Sequence, residues 1–482
     1  MKRLGRVLCF MLCAMISVCG LMPAASALSE EPALTLLFTT DIHSNLVPHL
    51  ALIDGKPSRV GGYARLKTAV DENTQKDKTL LLDSGDFSMG TLYQNFSLSD
   101  SLDLKLLDKL NYDAVALGNH DFEIGEDELR SELDEFRAGG GELSLLSSNL
   151  IYAGKNKIDD AQNGNPLSAQ GVLNYMVLER GGLKIGLFSV MGYDAISYTP
   201  LKRLAYADPV KSAQSIVSAL RRKENVDLVV MLSHAGTLPG VFAEDEDIAK
   251  QVKGIDVILG GHSHAALHEM RRVGDTMIVC AGTALNYLGK MEMYQKDGKW
   301  AADYSLIPLD GRWAEDSEIT AMIAPYTQKL NEGYLQSLGV TRGIMDDFAY
   351  SPYDFYDGDF MCSTLGDYPF GCLLSDSYFY ALAREGINDV QVAMIPVGTV
   401  RAGLYKGDLK VMDAYNVLSY GVSPTDGSSG APIACVYLNG SELYDLCETS
   451  VSLSPFINSA QFLFSGLRYS YCVSRPIFDR VF

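Results

Sequence analysis

Short apolar runs alternate with polar stretches of helical period from Leu34 to about Leu309. Two stretches, Ser101–Leu110 and Pro209–Arg222, have the spacing of amphipathic helices. The apolar runs that predict strands are Leu34–Thr40, Thr79–Leu82, Ala114–Leu117, Lys184–Val190, Asp227–Leu232 and Asp256–Leu259. Such an alternation is typical of an α/β domain or a layered α+β domain.

A second segment of α/β type follows. Ser317–Leu338 is polar with a loose helical period and predicts a connecting helix. Beyond it, the pattern predicts a helix near Leu373–Glu385 and strands near Val390–Ile395 and Ile433–Leu438. We therefore predict a first domain at residues 28–310, a linker at 311–339 and a smaller second domain at 340–482.

The amino terminus has the order of a secretory signal peptide. Lys2, Arg3 and Arg6 precede the apolar run Val7–Met22, and the small-residue site Ala25-Ser26-Ala27 follows. A transmembrane anchor needs about 18 or more apolar residues, and this run is shorter. We predict that residues 1–27 are removed and that the exported protein has no membrane span, with periplasm, cell wall and medium as open destinations.

The composition is that of a globular protein, with 47% hydrophobic and 21% charged residues. Asp and Glu number 60 against 40 Lys and Arg, which gives a formal charge of −20. This acid excess argues against nucleic acid or an anionic membrane surface as a partner. An anionic substrate would need another source of positive charge, and bound metal cations would supply it.

Six cysteines remain after the predicted signal peptide: Cys280, Cys362, Cys372, Cys435, Cys447 and Cys472. Export permits disulfides, although the spacing does not select a pairing among them. Buried free thiols are an equally good interpretation.

Five of the seven histidines come directly after predicted strands, together with acids and an amide. The motifs in chain order are Asp41-Ile42-His43, Gly85-Asp86, Gly118-Asn119-His120-Asp121, Ser233-His234 and Gly261-His262-Ser263-His264. Each motif alone has an ordinary explanation: a turn, a helix cap, or a histidine on the surface or satisfied in the core, as we expect for His49 and His268. All of them in this order, each after a strand, are a strong signal.

Loops at the carboxyl ends of strands converge on one crevice, so these motifs can meet in space. Carboxylate, imidazole and amide oxygen suit Mn, Zn, Co or Fe ions rather than a thiolate-rich structural zinc site. The sequence therefore predicts a centre for two divalent metal ions.

The order D-x-H, G-D, G-N-H-[DE], H and G-H-x-H resembles the calcineurin-like metallophosphoesterase superfamily. Gly61-Gly62-Tyr63-Ala64-Arg65 and Gly118–Glu123 look like its secreted branch of 5'-nucleotidases, 2',3'-cyclic-nucleotide phosphodiesterases and UDP-sugar hydrolases. The resemblance implies a four-layer metallophosphoesterase sandwich followed by a smaller, divergent and incomplete α/β substrate domain.

The resemblance also implies roles for particular residues. Asp41, His43, Asp86 and His264 would hold one ion; Asp86, Asn119, His234 and His262 would hold the other, with Asp86 bridging. His120 would be the catalytic histidine that coordinates no ion, oriented by Glu123, where the family more often has Asp.

In the substrate domain, Arg401 matches the arginine of the family motif Asn-Gly-Gly-Gly-Ile-Arg, of which only Gly398 keeps a glycine. Tyr420 is either one base-stacking residue or a packing residue. With Asn119, they are the predicted substrate contacts. The family's second stacking aromatic has no counterpart, so either the chain is cut short or this branch binds something other than an ordinary mononucleotide.

The predicted function is that of a secreted hydrolase that cleaves nucleotide phosphate esters by attack of a metal-bridged hydroxide on phosphorus. A broad phosphatase, or a diesterase acting on cyclic nucleotides or UDP-sugars, is the alternative among enzymes. A metal-binding recognition protein without turnover is the alternative from another class. A zinc peptidase is set aside because no His-Glu-x-x-His helix occurs.

Overall fold

A computed structural model describes residues 31–155, 164–238, 243–296, 298–419, 421, 430, 432–457 and 460–482. The predicted signal peptide and Tyr420 lie outside these residues.

The strands up to residue 308 are β1 (Leu34–Thr39), β2 (His49–Ile53), β3 (Lys56–Val60), β4 (Thr79–Asp83), β5 (Ala114–Ala116), β6 (Leu145–Leu146), β7 (Leu150–Tyr152), β8 (Val172–Leu173), β9 (Tyr175–Arg180), β10 (Leu183–Met191), β11 (Leu204–Tyr206), β12 (Leu228–His234), β13 (Val257–Gly260), β14 (Arg271–Val273), β15 (Thr276–Cys280), β16 (Tyr287–Lys296) and β17 (Lys299–Pro308). The helices of this part are α1 (Tyr63–Asn73), α2 (Ser97–Asp100), α3 (Leu102–Lys109), α4 (Glu126–Ala138), α5 (Tyr193–Tyr198), α6 (Pro209–Ala219) and α7 (Glu244–Gln251).

Two sheets form the centre of this amino-terminal part. One has the order β17-β16-β1-β4-β5-β6-β8 and the other the order β14-β15-β13-β12-β10-β9. Neighbours from β1 through β4, β5 and β6 to β8 are parallel, as are neighbours from β10 through β12 and β13 to β15, whereas β16, β17, β9 and β14 pair antiparallel at the edges. The parallel strands direct their carboxyl ends to one edge of each sheet.

The two sheets pack face to face. Leu36 and Phe38 of β1 share a fully buried apolar cluster with Val230 and Leu232 of β12 and Val257 of β13. Helices α1, α3 and α4 cover the outer face of the first sheet, and α6 and α7 cover that of the second. The order helix, sheet, sheet, helix confirms the predicted four-layer sandwich.

The carboxy-terminal part begins after the long helix α8 (Ser317–Lys329), whose helical path continues through Leu330–Leu335. Its other elements are β18 (Asp347–Ser351), α9 (Gly358–Cys362), α10 (Pro369–Arg384), β19 (Ala393–Pro396), β20 (Gly407–Lys410), α11 (Val411–Val417), α12 (Gly440–Leu453) and β21 (Phe462–Ser465). Strand β18 pairs with β20 and β19 pairs with β21, both antiparallel. A separate core around Phe370, Ile395 and Leu463 joins α10 to the β19–β21 pair.

The strand predicted at Ile433–Leu438 is wrong. These residues form no strand, and Val436 and Tyr437 are 73% and 99% exposed. The β-branched and aromatic residues fit a strand, but a strand also needs a neighbour to pair its backbone groups.

The two parts of the chain are joined by an ion pair with one buried partner. Both guanidinium nitrogens of Arg59, in β3, donate to the Asp413 carboxylate of α11, at 3.1 and 2.6 Å. Asp413 is 3% exposed and also accepts from the backbone N–H groups of Leu50 and Lys410. Throughout the described ranges, every helix is too short or too polar to cross a bilayer.

Candidate metal centre

Five strand ends deliver the predicted ligands to one place. Asp41 follows β1, Asp86 follows β4, Asn119 follows β5, His234 ends β12, and His262 follows β13. The side chains form two groups, each with its ligand atoms within 4.8 Å of one another: Asp41, His43 and His264 in the first, and Asp86, His234 and His262 in the second. The family resemblance implies a similar division, with Asp86 in both sets and Asn119 added to the second.

In the first group, His43 donates a hydrogen bond from Nδ1 to the carbonyl of Met89 at 2.8 Å. Because a carbonyl only accepts, the proton is on Nδ1 and the lone pair of Nε2 faces the centre. Nε2 lies 3.1 Å from Nε2 of His264, which is 3.8 Å from Oδ1 of Asp41. Asp41 is fully buried.

At the second group, three acceptor atoms converge, two from its members Asp86 and His234 and one from Asn119. His234 donates from Nδ1 to the carbonyl of Ser84 at 2.9 Å, which leaves a lone pair on Nε2. That atom lies 3.0 Å from Oδ2 of Asp86 and 3.2 Å from Oδ1 of Asn119. Three buried lone pairs at this distance repel unless a cation lies among them, so the donor set fits a divalent ion.

The pKa values reflect the same crowding. Burial raises the pKa of Asp41 to about 6 and lowers that of His43 to about 3. Burial also opposes charge on His234, but the Asp86 carboxylate raises the pKa of that imidazole to about 10. Without an ion, Asp86 therefore favours a proton on this imidazole, and a bound cation would take the place of that proton.

The backbone is strained at the ligands. Asp41, His43, Asp86, His262 and His264 all have left-handed backbones, with φ between 49° and 69°. Each such residue costs roughly 1–3 kcal/mol and persists only when its surroundings enforce it. Here the turns after β1 and β4 pair with each other, since Asp41 N–H donates to Gly85 O and His43 N–H donates to Asp86 O, both at 2.9 Å.

Asp121 supports this arrangement without coordinating, and the sequence assigned it no role. One carboxylate oxygen accepts from the backbone N–H groups of Asp86 and Gly118, and the other accepts from the backbone and hydroxyl of Ser88. The signal was present, because Asp121 is the last residue of the Gly-Asn-His-Asp motif.

His120 and Glu123 form a pair beside the ligands. Nδ1 of His120 lies 2.8 Å from Oε2 of Glu123, one helical turn further on, and the backbone N–H of His120 donates to Asp86 at 2.8 Å. The longer Glu, in the position where Asp is more usual, reaches the imidazole.

Arg401 comes from the carboxy-terminal part and faces the same cleft. With His120, Glu123 and Gln94 it lines one end of the cleft. With His43 and His264 it lines a neighbouring cavity of about 160 Å³, whose walls also carry Asn45, Thr283, Asn286, Asn416 and Ser419. Its charge is close enough to help lower the pKa of His43, after the larger effect of burial.

The remaining side chains singled out in the sequence lie as follows. His49 is buried, with Nε2 3.1 Å from Oδ1 of Asn286, and His268 is exposed. Tyr420 is outside the described residues, between Ser419 in the cleft wall and Gly421. None of the six described cysteines is joined to another by a disulfide.

Comparison with known proteins gives two family matches. Residues 34–266 match the family described as calcineurin-like phosphoesterase, and residues 355–482 match the 5'-nucleotidase C-terminal domain.

Several characterised proteins are similar over most of the chain. A trifunctional nucleotide phosphoesterase protein of Bacillus subtilis is 26% identical over 80% of this chain and 26% of its own length. Human 5'-nucleotidase is 29% identical over 69% of this chain and 58% of its own. The chain thus spans less than two thirds of either relative. The crystal structure of a 5'-nucleotidase precursor from Thermus thermophilus has a TM-score of 0.70 and 25% identity, covering 93% of this chain and 84% of that one.

Proposed function

Because the chain belongs to the calcineurin-like phosphoesterases and carries a 5'-nucleotidase C-terminal domain, we propose that it hydrolyses phosphate esters of nucleotides with two divalent metal ions. Calcineurin-like phosphoesterases use two divalent metals, and the structure has two groups of ligands to hold them. When bound, such ions lower the pKa of water and neutralise charge on phosphate oxygens.

One observation carries the proposal: the convergence of Asp86, Asn119 and His234 lone pairs beside the His120–Glu123 pair. The first three atoms fit a cation, and the pair supplies an imidazole that is oriented but belongs to neither ligand group. A protein that only stored metal would not need the second feature.

Each residue has a defined task in this proposal. The carboxylate of Glu123 accepts from Nδ1 of His120 and so fixes the tautomer and the direction of the ring. Nε2 of His120 then donates a proton to the departing alkoxide or stabilises charge on the phosphoryl group. Arg401 presents its planar fork of donors to a phosphate oxygen. Asn119 would coordinate one metal ion through its amide oxygen and also contact the substrate phosphate.

The nucleotide assignment is supported by the matched C-terminal domain and by the names of the relatives. Export is supported by the sequence of residues 1–27, with its basic start, apolar run and Ala25-Ser26-Ala27.

The test is release of phosphate by residues 28–482 loaded with Mn, Co or Zn. The substrates are AMP, ATP, UDP-glucose, a 2',3'-cyclic nucleotide and p-nitrophenyl phosphate, with a coupling phosphatase for the diesters. We expect metal-dependent turnover of a nucleotide. His120→Ala should reduce kcat by about 10²–10⁴-fold, Glu123→Gln by less, and Asp86→Asn should abolish metal-dependent activity.

His268→Ala is the matched control, because His268 is an exposed histidine outside both ligand groups. Turnover of p-nitrophenyl phosphate alone would refute the nucleotide assignment and leave the phosphoesterase chemistry. Two bound ions without turnover of any ester would refute the enzyme and favour a recognition protein.

A further inference from the structure

A carboxylate outside the predicted ligand set touches the second ligand group. Oδ2 of Asp194, in the first turn of α5, lies 2.8 Å from Nε2 of His262. We infer that Asp194 is a positioning residue for the metal centre, which holds the imidazole of His262 so that its other nitrogen can bind the ion. This inference deepens the proposed function, because it concerns the same centre.

The contact sets the chemistry of the ring. An ionised carboxylate only accepts, so Nε2 of His262 carries the proton and Nδ1 carries the lone pair. The backbone N–H of His262 donates to both carboxylate oxygens of Asp41 at 3.1 Å, which anchors the residue beside the first ligand group. A carboxylate hydrogen-bonded to a ligating imidazole fixes its orientation and increases its basicity.

Asp194 is itself held in place by two neighbouring elements. Glu244, the first residue of α7, accepts from the backbone N–H of Tyr193 at 2.6 Å and from that of Asp194 at 2.9 Å. The N–H of Gly192, just before α5, donates to the carbonyl of His234 at 3.0 Å. Helix α5 is therefore tied at its start to a ligand of the same group.

Gly192 allows this close approach. A Cβ on this residue would lie 2.5 Å from Cα of Ala235 and 2.7 Å from Oε2 of Glu244. A larger residue would move the start of α5 away from Glu244 and carry Asp194 with it. The placement of Asp194 is thus built into the fold, although its side chain is 28% exposed.

The experiment measures metal affinity rather than hydrolysis. The purified protein, stripped by chelator, is titrated with Co and with Zn against a chromophoric competitor, and the Co absorption spectrum is recorded. For Asp194→Ala we expect two ions still to bind at saturation, one of them about 10- to 100-fold more weakly. Asp194→Asn keeps an acceptor without the charge, so its loss of affinity should be smaller.

Asp247→Asn is the matched control. Asp247 is an exposed residue of α7 whose carboxylate pairs with Lys250. Its replacement by Asn removes the same negative charge as a substitution of Asp194. Glu244→Ala tests the support of α5 and should weaken the same ion while leaving Asp194 in the chain. The Co absorption band should shift in the Asp194 and Glu244 variants only.

Unchanged affinity in Asp194→Ala would overturn the inference. So would an equal loss in Asp247→Asn, which would indicate a general charge effect, or binding of one ion only at saturation, which would make Asp194 a direct ligand. If one ion binds more weakly to Asp194→Ala while the wild-type protein hydrolyses no ester, the inference stands and the proposed function is refuted.

Discussion

Buried carboxyl groups that bind no ion lie beneath the centre. Asp103, fully buried in α3, accepts hydrogen bonds from the hydroxyls of Ser44 and Ser97 at 3.2 and 2.6 Å. The Ser44 hydroxyl in turn accepts from the N–H of Met89, whose carbonyl holds His43. Burial raises the pKa of Asp103 to about 7. Asp103 thus supports His43 indirectly, through hydrogen bonds by way of Ser44 and Met89.

This pKa predicts how stability depends on pH. Native Asp103 holds its proton up to about pH 7, whereas the ordinary value is 3.8. The stabilising contribution of the protonated Asp103 carboxyl is therefore complete below about pH 4 and is lost as the pH rises through 7. Asn carries no proton to lose, so we expect the stability of Asp103→Asn relative to the wild type to increase between pH 4 and pH 7. The increase in the difference of the free energies of unfolding should be up to about 4 kcal/mol.

The measurement is urea unfolding of the metal-free protein from pH 4 to pH 8. Asp54→Asn, which replaces an exposed carboxyl in the β2–β3 turn, should run parallel to the wild type. A constant difference between Asp103→Asn and the wild type would contradict the assignment.

The turn that follows β5 packs tightly against the turn that follows β4, beside the proposed ligands. Gly118 follows β5 and lies against Asp86, so that a Cβ on it would be 2.5 Å from Asp86 N and 2.7 Å from Asp86 Cγ. No rotation of a flexible side chain relieves that contact, because Asp86 is held by His120 and Asp121. The glycine is required by the position of the Asp86 carboxylate, the proposed bridge between the two ions.

We expect Gly118→Ala to displace Asp86 and to lower the affinity for each of the two ions by at least about 10-fold. This corresponds to a loss of about 1.4 kcal/mol of binding free energy for each ion. Gly311→Ala is the control, since a Cβ there would meet nothing within 4 Å. Isothermal titration with Mn gives both affinities. Equal affinities in the two variants would show that the turn yields more easily than the geometry indicates.

The central elements could be predicted from the sequence because of how they are buried. Strands β1, β4 and β12 are covered on both faces and read as continuous apolar runs, so their bounds were predicted to within two residues. The β16–β17 hairpin was missed, because its residues differ in burial along each strand and do not form a continuous apolar run.

The convergence of the proposed ligands could be predicted because motif and strand end coincide. The proposed role of Asp194 could not be predicted, because it depends on contacts with His262 and Glu244, which are distant in the sequence. Asp194 also belongs to none of the recognised motifs, so its position after a strand does not by itself indicate a role. For the same reason, Ile433–Leu438 was predicted as a strand from its composition although it has no partner strand.

At the scale of the whole molecule, the two parts of the chain build the cleft together. The amino-terminal part supplies the ligands and His120, and the carboxy-terminal part supplies Arg401. The Arg59–Asp413 pair contributes two hydrogen bonds to their contact, beside the apolar packing of Ile344 and Met412 against the amino-terminal core. Loss of this pair should therefore affect both stability and substrate affinity.

We expect Asp413→Ala to destabilise the protein by about 2–4 kcal/mol, because it removes a buried acceptor from three donors. KM for the best substrate should rise more than kcat falls, since Arg401 moves and the ligands stay. Asp408→Ala is the control, because the exposed Asp408 contributes only its backbone carbonyl to Arg59. Calorimetry and steady-state kinetics provide the two readouts. A fall in kcat alone would argue that Arg401 is independent of this contact.

The dispersal of the ligands along the chain has a consequence for metal supply. Asp41 and His264 stand at opposite ends of the amino-terminal part, so no short unfolded segment contains a site and an ion meets its ligands only after both sheets have formed. Nitrogen and oxygen sites rank Mn, Fe, Co and Zn in much the same order whatever the protein. Beside the geometry of the site, the supply of ions in the compartment where folding is completed therefore contributes to which ion the protein carries. If the protein is exported as proposed, the relevant supply of ions is the one outside the cytoplasm.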